Sequence, residues 1–337
     1  MNVLIILGNG FSIDFIDHIE KSEIIDVKNL FHLGEKVPWP SDDSLGYLSF
    51  KHCPNLWNLG ARPYMDADSS LVLIEDIITC ANMLDCRNHS TENSNKIYLL
   101  AYKELVQYLK TLFIYYNRKI DFGDIDLQNK IKQWSWYKKL ELLNQDHTIE
   151  KVHIITFNYD IWLERILKLM GVDYNIAGFE NKDTKFQIYK PHGSISFQAK
   201  VARDKAAYAI NYNFDVPDDR IEQFDIEYDN ISPLGSINAL IPPAGDSGRL
   251  SFKWADTIRN KIGETIKTFK PEDELILCGL SYWHVDRSEL DKILGEIPID
   301  ISNVSVFNPQ PPRALNAVLT TFFQNVVNYT NCKHLFE

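Results

Sequence analysis

The sequence lacks several features that would each have pointed to a chemistry. Its five cysteines, Cys53, Cys80, Cys86, Cys278 and Cys332, form no C-x-x-C pair, so neither a zinc knuckle nor a redox dithiol is supported and reduced, mostly buried thiols are expected. No run of about 18 apolar residues occurs, and the N-terminal apolar run, Val3 to Leu7, is too short for the core of a signal peptide. A cytoplasmic protein with no membrane anchor is expected. Positive charge is not in excess: 35 Lys and Arg stand against 46 Asp and Glu, a net charge of −11, which argues against a broad electrostatic footprint for nucleic acid or anionic membrane.

What is present reads as globular, with 45% hydrophobic and 24% charged residues over 337 positions, enough for two domains or one domain with a large insertion. The chain opens on "LIILGNGFSIDF", four apolar residues followed by Gly8, Asn9 and Gly10. A buried strand running into two spaced glycines is a common phosphate-binding turn, because backbone N–H groups approach a pyrophosphate only where no Cβ intervenes. The usual dinucleotide fingerprint also wants a third glycine three residues later and an acidic residue about 20 positions on. Here that third position is Ile13, so an ordinary dehydrogenase is doubtful.

Residues 16–149 read as a helical insertion. "YLLAYKELVQYLKTLFIYY" spaces Tyr98, Tyr102, Leu105, Leu109, Leu112 and Tyr116 by three and four, an amphipathic helix with one wide apolar face. "SSLVLIEDIITCANML" predicts another, capped by Ser69 or Ser70. "KVPWPSDDSLGY" marks an irregular loop. From about 150 the strand signals resume in "KVHIITFNYD", "FQIYKPHGS", "ELILCGLS" and "VSVFNPQ", and "IWLERILKLMG" predicts a helix ended by Gly171 in a left-handed cap. Alternating strand and helix implies an α/β fold with a doubly wound parallel sheet, which binds ligands at the carboxyl ends of its strands. Residues 1–15 and 150–337 are expected to form that Rossmann-like domain.

Unusual residues gather at those strand ends: Thr156, Asn158 and Asp160; His192, Gly193 and Ser194; Gly279, Ser281 and Asp286; and Asn308. Each alone has an ordinary explanation as a cap, a turn former or a structural histidine. Their order is more specific. A Gly-x-Gly-x-Ser turn, a Thr-x-Asn-x-Asp strand end after a helical insertion, a His-Gly-Ser, a Gly-x-Ser turn and a final Asn-Pro resemble the sirtuin-like (SIR2-like) superfamily, NAD-consuming enzymes on a Rossmann-like sheet. "LIPPAG" at 240–245 is similar to the family's bacterial branch, and Gly-Asn-Gly-Phe resembles the related AbiH abortive-infection family.

The resemblance implies that Gly8, Gly10 and Ser12 contact the NAD diphosphate, that Asn158 lies against the nicotinamide ribose, and that Asp160 meets the nicotinamide carboxamide. It further implies that His192 is the catalytic base, that Gly279 and Ser281 line the adenosine phosphate side, and that Asn308 holds the adenine ribose. Asn9, Thr156 and Asp286 complete the expected contact set. Cleavage of NAD releases neutral nicotinamide through an oxocarbenium-like state that needs positioning and charge stabilisation, and a histidine can take the proton as that state collapses. No metal is required. Protein-deacylating sirtuins carry four zinc cysteines in paired spacing, and none is present here. The resemblance therefore points to the zinc-free antiphage NAD hydrolases, with a deacylase, an ADP-ribosyl transferase or a silent NAD or ADP-ribose sensor as alternatives.

Weaker signals complete the reading. "KIKQWSWYKK" interleaves Lys with Trp134, Trp136 and Tyr137, a pattern able to stack on single-stranded nucleic acid but more often a helix's buried face or an interface. "FDVPDDRIEQFDIEYDN" is strongly acidic, a solvated loop or a docking surface for a basic partner. The short segment after Asn308 is too small for a sensing domain. Control is therefore expected from a separate protein, for example a HerA-like ATPase or a short Argonaute, acting on a homo-oligomer assembled through aromatic residues such as Trp134, Trp136, Tyr115 and Tyr116.

Overall fold

The computed structural model describes residues 1–85, 96–180, 182–201, 203–206, 208–212, 218–242, 252–282 and 284–335, without the side chains of 84, 85 and 284–286. Cys86, positions 243–245 of "LIPPAG", residues 214–217 of the acidic stretch and the Asp286 side chain lie outside the described residues.

β1 (Asn2–Leu7) is buried along nearly its whole length, which an unbroken apolar strand allows only inside a sheet covered on both faces. Six helices follow: α1 (Asn9–His18), α2 (Pro54–Asn58), α3 (Ala67–Asp85), α4 (Ile97–Asn117), α5 (Ile125–Lys132) and α6 (Ser135–Gln145). Then come β2 (Lys151–Thr156), α7 (Trp162–Leu169), β3 (Tyr174–Ile176), β4 (Phe186–Tyr189), β5 (Gly193–Ala199), β6 (Phe224–Ile226) and β7 (Asn238–Leu240). The chain finishes with α8 (Lys253–Ile266), β8 (Glu274–Cys278), α9 (His284–Glu296), β9 (Asn303–Phe307), α10 (Arg313–Phe322) and β10 (Val326–Tyr329).

Seven strands form one parallel sheet in the order β10-β9-β8-β1-β2-β4-β3, a Rossmann-like doubly wound α/β architecture. From β1 the chain passes to β2, goes out to the edge at β3 and comes back to place β4 between β2 and β3, then returns to the other side of β1 for β8, β9 and β10. The direction reverses between β1 and β8, the kind of switch point where such sheets open a crevice for ligands. Register levels the strand ends: Leu7 pairs with both Thr156 and Cys278, and Cys278 with Phe307. Residues just past each end therefore face one edge. An antiparallel sheet, β6-β5-β7, which the sequence pattern did not suggest, begins at Gly193, directly after His192.

Local expectations fared differently. Gly171 takes φ +69°, and its N–H and that of Val172 bond to Lys168 and Leu167 carbonyls, the left-handed ending of α7 that glycine permits without Cβ strain. The cap of α3 is neither Ser69 nor Ser70: Asp66 accepts the Ser69 N–H at 2.8 Å, and the helix starts at Ala67. α4 buries far more than one face, including Lys103, Glu104 and Lys110, because α2 and α3 pack on it as well as β5 and β7.

The aromatic stretch belongs to the interior. Trp134, Trp136, Tyr137 and Tyr116 are buried; Trp134 packs, tilted, against Phe11 and Phe15 with ring centroids 5.1 and 5.0 Å away and donates its indole N–H to Asp14. These buried rings can neither stack on a nucleic acid nor form an oligomer surface: Trp134 and Trp136 are covered by Phe11 of α1, and Tyr116 packs on Phe113 and Tyr115. The helical segment and the sheet share a single hydrophobic core. Among the described residues, no helix is long and apolar enough to cross a membrane.

Candidate functional site

The first turn is shaped by contact with the turn after β8. A Cβ on Gly10 would lie 2.4 Å from the Gly279 Cα, one on Gly8 2.5 Å from its carbonyl oxygen, and Gly279 itself sits at φ +63°. Only glycine tolerates this approach. The Gly8 N–H bonds to the Cys278 carbonyl at 2.9 Å and the Gly10 N–H to the Gly279 carbonyl at 3.1 Å. The missing Cβ atoms thus serve turn-to-turn packing, and either N–H reaches a phosphate only by exchanging these bonds.

Beyond β2, three of the expected residues meet. Asn158 donates through Nδ2 to the Gly8 carbonyl and to Ser12 Oγ, both at 3.0 Å, and Ser12 Oγ donates to Asp160 Oδ2 at 2.6 Å. Asp160 Oδ1 accepts the Trp162 N–H that opens α7, and Thr156 Oγ1 accepts the Asn158 N–H. Ser12 and Asp160 are 1% and 3% exposed with their polar atoms turned on one another, so it is Asn158 that links this pair to the strand-end edge. Both Nδ2 hydrogens of Asn158 are used, and its Oδ1, bonded to none of the described residues, is left as an open acceptor. Burial pushes the Asp160 carboxyl up, against the Lys190 charge and the Ser12 bond. Lys190 Nζ bonds the Asp160 carbonyl at 2.5 Å and pairs with Glu164 Oε1 at 2.7 Å, both side chains buried.

His192 is 2% exposed. Its ring packs on Phe157, the residue before Asn158, with centroids 4.9 Å apart, and its Nε2 lies 3.0 Å from Glu289 Oε2. Glu289 is also clamped by Arg259, Nε to Oε1 at 2.9 Å and Nη2 to Oε2 at 3.1 Å. Burial opposes the Glu289 charge, yet the His192 and Arg259 bonds and charges outweigh it and hold the carboxyl well below the usual range. An ionised carboxylate only accepts, so His192 carries a hydrogen on Nε2 toward Glu289. A groove of about 360 Å3 between α8 and α9 reaches the outer side of this pair.

The remaining residues stand further along the edge. Asn308 donates to the Leu280 carbonyl at 2.9 Å and accepts the Gln310 N–H, tying the ends of β8 and β9 together. Ser281 is exposed beside the Gly279 turn. Asn9 reaches the other way, to the Val27 carbonyl at 2.8 Å, and pins the loop after α1. The sequence did not single out Glu289, Arg259, Lys190 or Glu164. The available signal was a charge set in an apolar stripe, as with Glu289 beside Leu290, Ile293 and Leu294, or Arg259 between Ile258 and Ile262. Comparison with known proteins finds no family model that matches this chain and no curated protein significantly similar to it.

Proposed function

We propose that the chain is an NAD glycohydrolase of the sirtuin-like superfamily, hydrolysing the N-glycosidic bond of NAD to give nicotinamide and ADP-ribose, and that it serves as a cytoplasmic antiphage abortive-infection effector. The observation that carries the reading is the pairing, at the switch-point edge of the sheet, of an oriented amide oxygen on Asn158 with a histidine whose tautomer is set by an ionised Glu289.

In this reading Asn158 Oδ1 accepts a hydrogen bond from the attacking water or a ribose hydroxyl, and Ser12 and Asp160 hold Asn158. As the glycosidic bond breaks, its electron pair leaves with neutral nicotinamide. The water oxygen bonds the ribose carbon, and His192 takes the proton. Such positioning aimed at a developing positive charge is where catalysis of this type gains most. Ser281 and the Gly8, Gly10 and Gly279 turns would receive the diphosphate, and Asn308 the adenine ribose. Control by a separate sensor protein and homo-oligomer formation extend the proposal, the oligomer contacts then lying outside the buried aromatic stretch.

Incubation with NAD, alone and with an acetyl-lysine peptide, followed by mass spectrometry, tests it. Nicotinamide and free ADP-ribose without peptide are expected. Product formed only with peptide would mark a deacylase, and NAD binding without nicotinamide release would mark a sensor; either overturns the reading.

A further inference from the structure

Two cysteines far apart in the sequence meet at the end of the sheet. Cys278 closes β8, is 2% exposed, and through its carbonyl receives the Gly8 N–H of the first turn. Register sets Cys278 beside Phe307 of β9, and Phe307 beside Tyr329 of β10. After β10 the chain folds back on itself. The Tyr329 ring stacks on Phe307 at 4.8 Å and on His334 at 5.7 Å, while Asn331 accepts the Lys333 N–H at 2.9 Å. The turn so formed packs on α6 and brings Cys332, partly exposed, against the core.

There the two free thiols touch. A hydrogen bond with the Cys332 thiol, then burial and the nearby Asp14 charge, push the Cys278 thiol up. The Cys332 thiol also donates to the Asp14 carboxyl of α1, which takes the Trp134 indole N–H at 2.7 Å. Cys53 and Cys80 lie instead beside Glu104 and Asp76. The pair is unequal in access: solvent reaches Cys332, whereas Cys278 is sealed behind it. An acidic neighbour disfavours thiolate, so the advantage of the pair is proximity, a second thiol held at high effective concentration.

We propose that Cys278 and Cys332 are a reversible redox pair, oxidised to an intramolecular disulfide by exchange with a small-molecule disulfide such as oxidised glutathione. The Cys332 thiolate attacks one glutathione sulfur, forming a mixed disulfide and expelling the first glutathione thiolate. The Cys278 thiolate then attacks the Cys332 sulfur and expels the second. The protein thiols lose two electrons to the glutathione S–S bond, and their two protons end on the two glutathione thiolates. The new bond closes the loop that holds α9, β9, α10 and β10 and fastens the turn after β10 to β8, one residue from the Gly279 turn. Transient disulfides of this kind are the ones that reducing compartments admit. The proposal does not depend on the NAD reading.

The test is to equilibrate the folded full chain with oxidised glutathione, quench in acid, alkylate on unfolding with N-ethylmaleimide, and map the peptides by mass spectrometry. Cys278 and Cys332 should be lost to alkylation together and appear as one linked peptide that dithiothreitol separates. Cys332→Ser should leave Cys278 alkylated and free of glutathione, and Cys278→Ser should halt Cys332 at its glutathione adduct. Absence of the linked peptide, a wild-type Cys332 that stops at the adduct, or a bridge from either cysteine to Cys53, Cys80 or Cys86 would overturn the proposal.

Discussion

Two carboxylates close to the same edge of the sheet are almost equally buried, Asp160 at 3% exposure and Glu289 at 8%, yet they shift in opposite directions. Burial pushes Asp160 up, whereas Glu289 is held down despite burial. The difference lies in where the cation sits. Lys190 spends its bonds on the Asp160 main-chain carbonyl and on Glu164, so the Asp160 carboxyl receives only a hydroxyl and one N–H. Arg259 and His192 both bond the Glu289 carboxyl itself. Depth alone therefore decides little; direct charge-assisted hydrogen bonds decide which buried acid stays ionised.

The contrast breaks most visibly at Glu289. Glu289→Ala leaves Arg259 and His192 facing a hole, and should cost about 3–5 kcal/mol of stability at neutral pH, read by urea unfolding. Because its folded pKa lies below the ordinary 4.5, that contribution is fully present above the unfolded value. It disappears as pH falls through the folded one, so the gap between wild type and variant should narrow in acid.

The turn contact comes next. Gly10→Ala places a methyl 2.4 Å from the Gly279 Cα, and the forced separation of the two turns should cost about 1–3 kcal/mol. A neutral outcome would mean that the turns are not held together as described.

Asp160→Asn sharpens the comparison with a smaller effect, within about 1 kcal/mol of wild type at neutral pH, and its sign with pH is opposite to that of Glu289. A carboxyl raised above the ordinary 3.8 costs stability once ionised, so wild type should lose stability relative to Asn as pH rises through the raised value. Below 3.8 the two should converge. Unfolding curves between about pH 3 and 7 would show it; a gap that widens in acid would place Asp160 in the same class as Glu289.

The smallest expected effect on the fold is at Ser281. Exposed beside the Gly279 turn, it should give a Ser281→Ala variant with unchanged melting and an NAD KM several-fold higher, about 1 kcal/mol of lost binding. Unchanged KM would remove Ser281 from the site.

These two clusters also differ in how far the sequence discloses them. Ser12, Asn158 and Asp160 lie within a few residues of strand ends that apolar runs make visible, and strand ends in a doubly wound sheet converge. Glu289 and Arg259 come from the faces of α9 and α8, where a charged residue looks like any solvated one until the helices pack. Lys190 and Glu164 were hidden for the same reason: pairing across 26 positions leaves no periodic trace. The parallel sheet was legible from its central strands, β1, β2 and β8, which are largely apolar, while the antiparallel β6-β5-β7 sheet was not, β6 and β7 being three residues each and set between polar loops. The aromatic stretch at 130–139 is the buried face that was one of its two favoured readings; the sequence could not choose between that and an interface because buried and interfacial aromatics share one composition.

Whether the strand-end residues perform chemistry or only hold the sheet edge together is decided most directly by the NAD cleavage rate of His192→Ala beside its unfolding curve. Nicotinamide release should fall about 10²- to 10⁴-fold while the variant still unfolds cooperatively, since Glu289 keeps both bonds to Arg259. An unchanged rate, or a loss of activity that comes only with loss of cooperative folding, would contradict a catalytic His192.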